Sequence, residues 1–485
     1  MNEEWGSAEE REVLIVGAGP TGLGAAWRDA QPGAQTDWLL CEAEATAGGL
    51  AGSVTDEHGF TWDLGGHVQF SHYQQFEDLM DELLGPDEWL YHLRSAWVYL
   101  RGTFVPYPFQ LNLRHLPIGE RWACVHGLLR LLKEPPNGRP ANFGEWIDQT
   151  FGAGIAEVFL RPYNFKVWAY PPEELTWKWI GDRVAVTDVE RVIENVLWEK
   201  DDLAWGPNSR FRFPRRGGTG TVWRELARRL DAANPGRVLL RHRLLRLDTA
   251  KREALFLNSD TAAGEVIRYR RLISTLPLTD LVRRSDLAAE LGPAVAELRH
   301  SSTHVLGVAL RGEPGRALEG KSWMYFPEGL CPFYRVTVFS RYSPENVPGP
   351  GYWSLLAEVA ESPRKPVRME TLFGETVQGL LATGLIASPD EVHHIWHRRL
   401  EHGYPTPTLG RDAALATVLP ALEARSVWSR GRFGAWKYEV SNQDHSFAQG
   451  VEAAEHWLSR TPEETLHQPE VVNARRPSPP AHAPR

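Results

Sequence analysis

The pattern of apolar and polar positions divides the chain into stretches of different character. Residues 13–16 form a short apolar run that predicts a buried strand, followed by a glycine-rich turn over 17–24 and a helix over 23–30. A second run, WLLC at 38–41, predicts another strand and ends on an acid, Glu42. From about 116 to 203 the apolar spacing is mostly helical, as in WACVHGLLRLL and FGEWIDQTF. Strand-like runs return over 238–276, and those at 303–311, 322–326, 333–339 and 352–359 predict an antiparallel sheet. A helix near 369–386 and a strand near 392–398 precede a stretch rich in glycine and aromatic residues. Residues 1–11 read as a polar arm, and the tail from Asn473 (NARRPSPPAHAPR) reads as disordered.

The first turn carries the chemistry. VLIVGAGPTGLGAA places Gly17, Gly19 and Gly22 as GxGxxG between a strand and a helix. The first glycine permits the tight turn, the second lets backbone approach a pyrophosphate, and the third lets helix and strand pack closely. The helix N-terminus then faces the phosphates. Glu42 stands where an acid accepts a hydrogen bond from a ribose hydroxyl and repels a 2′-phosphate. FAD and NAD sites share this unit. Two stretches beyond Glu42 favour FAD: a second glycine pair in AGGLAGS (47–53), then DLGGHVQFSH (63–72). Near the C-terminus, GAWKYEVSNQDHSFAQG (434–450) predicts a helix starting at Asp444, placed to cap a flavin ring or its ribityl phosphate.

Composition narrows the class. A chain of 485 residues is too long for one simple core, so two or three domains are expected. The net charge of −9 argues against a nucleic-acid or anionic-membrane partner. Cys41, Cys124 and Cys331 form no CxxC and no metal-ligand spacing, which fits a reducing compartment and predicts no metal. No segment approaches the roughly 18–20 apolar residues of a membrane span, and the acidic N-terminus lacks a signal peptide's pattern. A cytoplasmic protein is expected. The 20 Trp are compatible with large cores or with a site that stacks on rings and sugars. No Ser-His-Asp set and no carboxylate pair at glycosidase spacing emerges, which suits a reaction carried by a cofactor.

Five stretches carry a family resemblance: FLRPYNFKVWAYPPEEL (159–175), AWGPNSRFRFPRRGGTG (204–220), CPFYRVTVFSRYSP (331–344), HGYPTPTL (402–409) and WSRGRFGAWKYEVSNQDHSF (428–447). Together they resemble the UDP-galactopyranose mutases, especially the fungal, eukaryotic-type branch, from about residue 11 to about 460. The resemblance implies interconversion of UDP-galactopyranose and UDP-galactofuranose on reduced FAD. The ring contraction would pass through a covalent N5-flavin–sugar adduct without net redox, with NADPH a candidate reductant. It implies an α/β fold: a discontinuous Rossmann-like FAD-binding domain (11–90, 205–300, 430–465), an inserted helical domain with substrate flaps (112–204), and an antiparallel β-sheet substrate domain (91–111, 301–429). Residues 1–10 and 470–485 are expected to be disordered.

Carried over by motif, His67 should lie against the isoalloxazine, and Arg183 and Arg335 should hold the two phosphates. Trp323, Tyr325, Tyr404 and Tyr438 should line the diphosphate site. Tyr107, Gln110, Phe159, Asn164 and Trp168 match the nucleoside side, and Asn208 sits on a second flap. Gly49, Gly66, Gly218, Arg432, Asn442, Asp444 and Ser446 join Gly17, Gly19, Gly22 and Glu42 as cofactor contacts. Three positions depart from the family. The fungal insertion before the strand at Tyr352 is missing, so the oligomer contacts of that branch are not carried over. Gln69 stands where an apolar residue is expected, and Thr221 replaces a glycine.

Chemistry alone leaves alternatives at several of these positions. A planar guanidinium suits phosphate oxygens, and Arg335 within FYRVTVF would be costly to bury without an anion. Arg183 could equally be an ion-paired loop residue, and Tyr404 and Tyr438 core residues with a backbone partner. Phe159 and Trp168 could simply pack the helical domain, and His67 could be a satisfied core histidine. Three other activities fit the same motifs: an amine-oxidase-like FAD oxidoreductase, a mutase of a related NDP-hexose, and a non-catalytic nucleotide-sugar binder.

Overall fold

The computed structural model describes residues 9–34, 36–186, 188–203 and 209–478. Strand Glu9–Val16 runs parallel to Trp38–Cys41 on one side and to Gly264–Ser274 on the other, with Val13, Leu14 and Ile15 fully buried. Runs buried on both faces, as here, belong to a parallel sheet covered by helices. The sheet extends through Val238–Leu239 at one edge and an antiparallel hairpin, His242–Asp248 with Glu253–Asn258, at the other. Val427–Ser429 adds a short parallel strand beside Leu272–Ser274.

Helix Pro20–Asp29 follows the first strand and packs on helix Gln443–Ser459 from the far end of the chain. Contact is backbone to backbone: a Cβ on Gly450 would stand 1.9 Å from the Thr21 carbonyl oxygen. The first domain is therefore closed by a distant segment, as the discontinuous domain implied by the resemblance requires.

The second sheet has seven strands in the order Val392–Thr406, Arg299–Arg311, Tyr352–Glu361, Arg335–Val338, Trp323–Tyr325, Ala96–Leu100, Thr103–Pro106. Its pairs are antiparallel except Trp323–Tyr325 with Ala96–Leu100, which run parallel because a distant segment supplies the added strand. The helical region holds Ile118–Lys133, Phe143–Ile155, Arg161–Trp168 and Val189–Leu197 around a core that includes Phe151, Ile155 and Phe159. Trp38, Trp62, Trp168, Trp223, Trp353 and Trp436 are among the largest fully buried side chains, so much of the tryptophan content is core.

Three expectations are corrected. Glu9 and Glu10 are the first residues of a strand and not part of a disordered arm, because Ile267 and Arg268 offer them a ladder. The C-terminal expectation fails over its first residues only: Pro469–Asn473 is helical, and Asn473 Nδ2 donates to the Glu439 carbonyl at 3.0 Å, while residues 479–485 lie outside the described residues. Residues 91–93, expected in the antiparallel sheet, belong to strand Trp89–Leu93, which pairs with Arg210–Pro214 instead.

Candidate functional site

The turn after the first strand is built as its glycines require. Gly17 adopts φ +103°, and a Cβ on Gly22 would stand 1.9 Å from the Gly17 carbonyl oxygen. Neither lines the cavity beside the turn; both shape the backbone that does. Gly19 caps the helix with no protein atom closer than 4.0 Å to a Cβ placed on it, so its open side faces the cavity. Glu42, at the end of the second strand, accepts from Ala18 N at 2.6 Å and Glu44 N at 2.9 Å. Burial raises its pKa, and the two amides oppose that shift.

From this turn a cavity of about 720 Å³ extends to the second sheet, lined also by Gly49, Gly66, His67, Tyr107, Arg183, Trp323, Tyr325, Arg335, Tyr404, Arg432, Tyr438, Asn442 and Ser446. These elements come from both sheets and from the start of helix Gln443–Ser459. Asn442 is the N-cap of that helix, and its side chain makes no capping bond. It faces the cavity, with the positive end of a 17-residue helix behind it.

Burial lowers the His67 pKa to about 4, and the ring is neutral near neutrality. Its Nδ1 is buried and has no hydrogen-bond partner in the protein. A glycine cradle that a side chain would fill, an acid at the ribose position and a neutral imidazole on the wall together fit a flavin dinucleotide.

The far end of the cavity carries charge. Arg335 donates from Nε and Nη2 to Glu358 at 2.8 and 2.6 Å and lies over the Trp323 ring, 5.0 Å from its centroid. Burial alone would lower the Arg335 pKa, but Glu358 outweighs it and holds the group well above the usual value. The anion that a buried arginine demands is thus supplied by the protein itself. Nothing in the sequence marks Glu358, which is an ordinary alternating position of strand Tyr352–Glu361 until the ladder sets it opposite Arg335.

Arg183 donates to the Glu439 carbonyl at 2.5 Å and stacks over Tyr438, 5.5 Å away. Arg432 donates to the Gly403 carbonyl at 2.9 Å and to Ser441 Oγ at 2.9 Å, with its guanidinium 5.0 Å from the Tyr404 centroid. Burial raises the pKa values of Tyr325 and Tyr404, so both remain neutral hydroxyl donors.

Several expected residues are placed elsewhere. Asp444 is fully buried and accepts from His72 N at 2.9 Å and pairs with His72 Nδ1 at 2.8 Å. Its carboxyl pKa, which burial would raise, is held well below the usual range by His445 and His72. It braces the loop after GGH and does not line the cavity. Gly218 also lies off the cavity: a Cβ there would stand 2.2 Å from Asp63 Oδ1.

Gln110 donates to the Ala185 carbonyl, Asn164 to the Leu160 carbonyl at 2.8 Å, and Phe159 packs on Phe109 at 4.5 Å between centroids. Trp168 meets the Tyr438 ring edge-on at 4.8 Å. These four form the wall behind the cavity and are not among its lining residues. Asn208 lies outside the described residues. Gln69 donates to Gln443 Oε1 at 2.9 Å and is buried behind the GGH loop. Thr221 donates to the Arg216 carbonyl at 3.0 Å.

Residues 20–309 match the family described as Flavin containing amine oxidoreductase. A crystal structure of reduced UDP-galactopyranose mutase is 45% identical, covers 96% of this chain and 98% of its own, and superposes with a TM-score of 0.92. Putrescine oxidase bound to putrescine matches at 15% identity, covering 94% of this chain and 100% of its own with a TM-score of 0.60. The CLA-producing fatty acid isomerase from P. acnes matches at 14% identity, 92% and 98% coverage and a TM-score of 0.61. The two distant matches share the fold alone. With nearly half its residues identical along almost the full length of both chains, this chain belongs to the UDP-galactopyranose mutase family of flavoproteins.

Proposed function

We propose that the chain interconverts UDP-galactopyranose and UDP-galactofuranose, with FAD along the Gly19–Glu42 side of the cavity and the diphosphate between Arg335 and Arg183. The observation that carries this reading is the meeting, in one cavity, of a dinucleotide cradle with arginines and tyrosine hydroxyls at its far end. In reduced form the flavin supplies an electron-rich nitrogen for the anomeric carbon, so electrons are needed once and not at every turnover.

The protein's share is positioning and charge. Gly19, Glu42 and Gly49 would hold the adenosine half of the cofactor. Gly66, His67, Asn442 and Ser446 would hold the half that reaches the second sheet. Arg335, Arg183 and the hydroxyls of Tyr325, Tyr404 and Tyr438 would stabilise the diphosphate as it leaves the sugar and hold it until it returns. A neutral His67 would add no charge beside the flavin.

We assign the nucleoside to the end of the cavity at Tyr107, which Gln110, Phe159, Asn164 and Trp168 back from behind. The segment carrying Asn208 and the turn Gly181–Arg183 would act as closing flaps. The buried cysteines Cys41, Cys124 and Cys331, which form no disulfide, support a reducing, cytoplasmic setting, and NADPH is the reductant we assign. No helix among the described residues is long and apolar enough to cross a membrane.

An amine oxidase would need to bind a cationic substrate, which Arg335, Arg183 and Arg432 disfavour. Chromatography of dithionite-reduced enzyme with UDP-galactofuranose tests the proposal. Conversion to UDP-galactopyranose without loss of reducing equivalents is expected. An unchanged sugar nucleotide, with turnover of an amine instead, would reject it.

A further inference from the structure

Away from the cavity, the turn of hairpin Ser53–Thr55/Thr61–Asp63 meets the edge strand Val392–Thr406 of the second sheet. His58 from the turn and His393 and His394 from the strand each offer a ring nitrogen, and these atoms lie within 4.8 Å of one another. Neighbouring residues of a strand normally point to opposite faces. Here Ala309 pairs with His394 and Leu310 with Val392, so His393 is the extra residue of a β-bulge. A bulge re-aims side chains in this way. The ring centroids stand 5.3 Å (His58–His393), 4.3 Å (His58–His394) and 5.2 Å (His393–His394) apart.

The surroundings are those of an oriented ligand set. His394 Nε2 lies 2.8 Å from Asp56 Oδ2. That carboxylate is itself fixed by Trp62 Nε1 at 2.7 Å and, through Oδ1, by His58 N and Phe60 N at 3.0 Å each. With its proton on Nε2, His394 keeps a lone pair on Nδ1, and Nδ1 is buried without a hydrogen-bond partner. A carboxylate behind a histidine fixes its tautomer and raises its basicity as a metal ligand. Hydrogen bonding within the protein accounts for Nε2 and leaves Nδ1 unexplained.

We propose that His58, His393 and His394, oriented by Asp56, form a site for a divalent transition-metal ion of the zinc class, distinct from the flavin cavity. Imidazole nitrogens suit such ions and not magnesium or calcium. Ligands around a tetrahedral ion with bonds of about 2.0–2.1 Å stand about 3.3 Å apart, so ring movements of about 1.5 Å close the set. His58 is exposed, which leaves the fourth position to water. The ion would tie the hairpin leading into Gly66 and His67 to the sheet edge.

One residue opposes the ion. Arg311 Nη2 lies 2.8 Å from His393 Nδ1, and a guanidinium can only donate, so it occupies that lone pair. Metal binding displaces Arg311, either directly at Nδ1 or by moving the ring proton there. Removing the arginine therefore tightens the site, while removing a histidine loosens it.

The test is equilibrium dialysis of the FAD-loaded, full-length protein against Zn²⁺ near neutral pH, with Mg²⁺ as control and bound metal measured by mass spectrometry. One zinc per chain is expected, with a melting temperature raised by Zn²⁺ and not by Mg²⁺. His58→Gln, on the surface, and His394→Ala should each weaken binding at least about tenfold, and Asp56→Asn about 10–100-fold. Arg311→Gln should tighten it. Flavin content reports that each variant folds. Absence of zinc binding, zinc retained undiminished in His58→Gln, or weaker binding in Arg311→Gln would overturn the site. Zinc held equally by the variants would place it elsewhere, for example at the buried His72–Asp444–His445 group.

Discussion

Glu358 holds Arg335 through Nε and Nη2 and also accepts from Gly66 N at 2.9 Å and from Tyr334 Oη at 2.5 Å. One buried carboxylate thus joins Arg335 to the glycine next to His67. Burial would raise its pKa, but Arg335 and Tyr334 keep it below the usual carboxylate value. Glu358→Ala leaves a buried guanidinium without its counter-charge and should cost about 3–5 kcal/mol of stability in denaturant melts. A cost under about 1 kcal/mol would mean that the pair is not an obligatory support.

Arg335 is expected to matter more than Arg183 for UDP binding, because it stands on a strand and its loss exposes Glu358 to the diphosphate. Arg335→Ala should weaken UDP binding by about 1.5–3 kcal/mol, and Arg183→Ala by less. Adding Glu358→Gln to Arg335→Ala should recover part of the loss. Calorimetric titration of UDP decides this; equal losses in the two single variants, or no recovery, would reverse the ranking.

The two glycines of the first turn should fail differently. Gly19→Val adds atoms where the protein leaves open space, so the variant should fold but be colourless. Gly22→Val meets the Gly17 carbonyl, so the variant should lose its fold. Circular dichroism and flavin absorbance separate the two outcomes. A yellow Gly19→Val protein with full FAD content would displace the cofactor from this turn.

His67 gives the site a pH dependence. An unfolded histidine takes up a proton near pH 6.5, whereas folded His67 does so only near 4. Between these values the unfolded chain binds more protons, so stability rises with pH and is lost as pH falls from 6.5 to 4. The difference of about 2.5 between the two values sets an upper limit of about 3.4 kcal/mol on this loss. His67→Asn should lose less melting temperature over the same acid range than the parent. Parallel curves for the two proteins would show that His67 titrates without cost.

Electron accounting tests the role of the flavin. Many sugar-nucleotide molecules should be converted for each NADPH oxidised, since electrons are needed to prepare the cofactor and not to drive each turnover. Coupled measurement of absorbance loss and chromatographic product gives the ratio. One NADPH per product would indicate hydride transfer.

Local pattern was enough for the parts of this protein that are local in sequence. The strand, GxGxxG turn and helix at 13–30 read directly, because backbone geometry at Gly17 and Gly22 is dictated by neighbours a few residues away. The helical insertion and the antiparallel sheet read from periodicity, and the long motifs around Arg335 and Tyr404 pointed to residues that do line one cavity. Only the tertiary structure decided which distant side chains meet. Glu358 reaches Arg335 through strand register, Asp444 turns to His72 and away from the cavity, and His58 meets His393 and His394 through a bulge at a sheet edge. Register and bulges depend on long-range ladders, and a one-residue shift changes the face a side chain takes. Motif spacing along the chain carries no record of that choice.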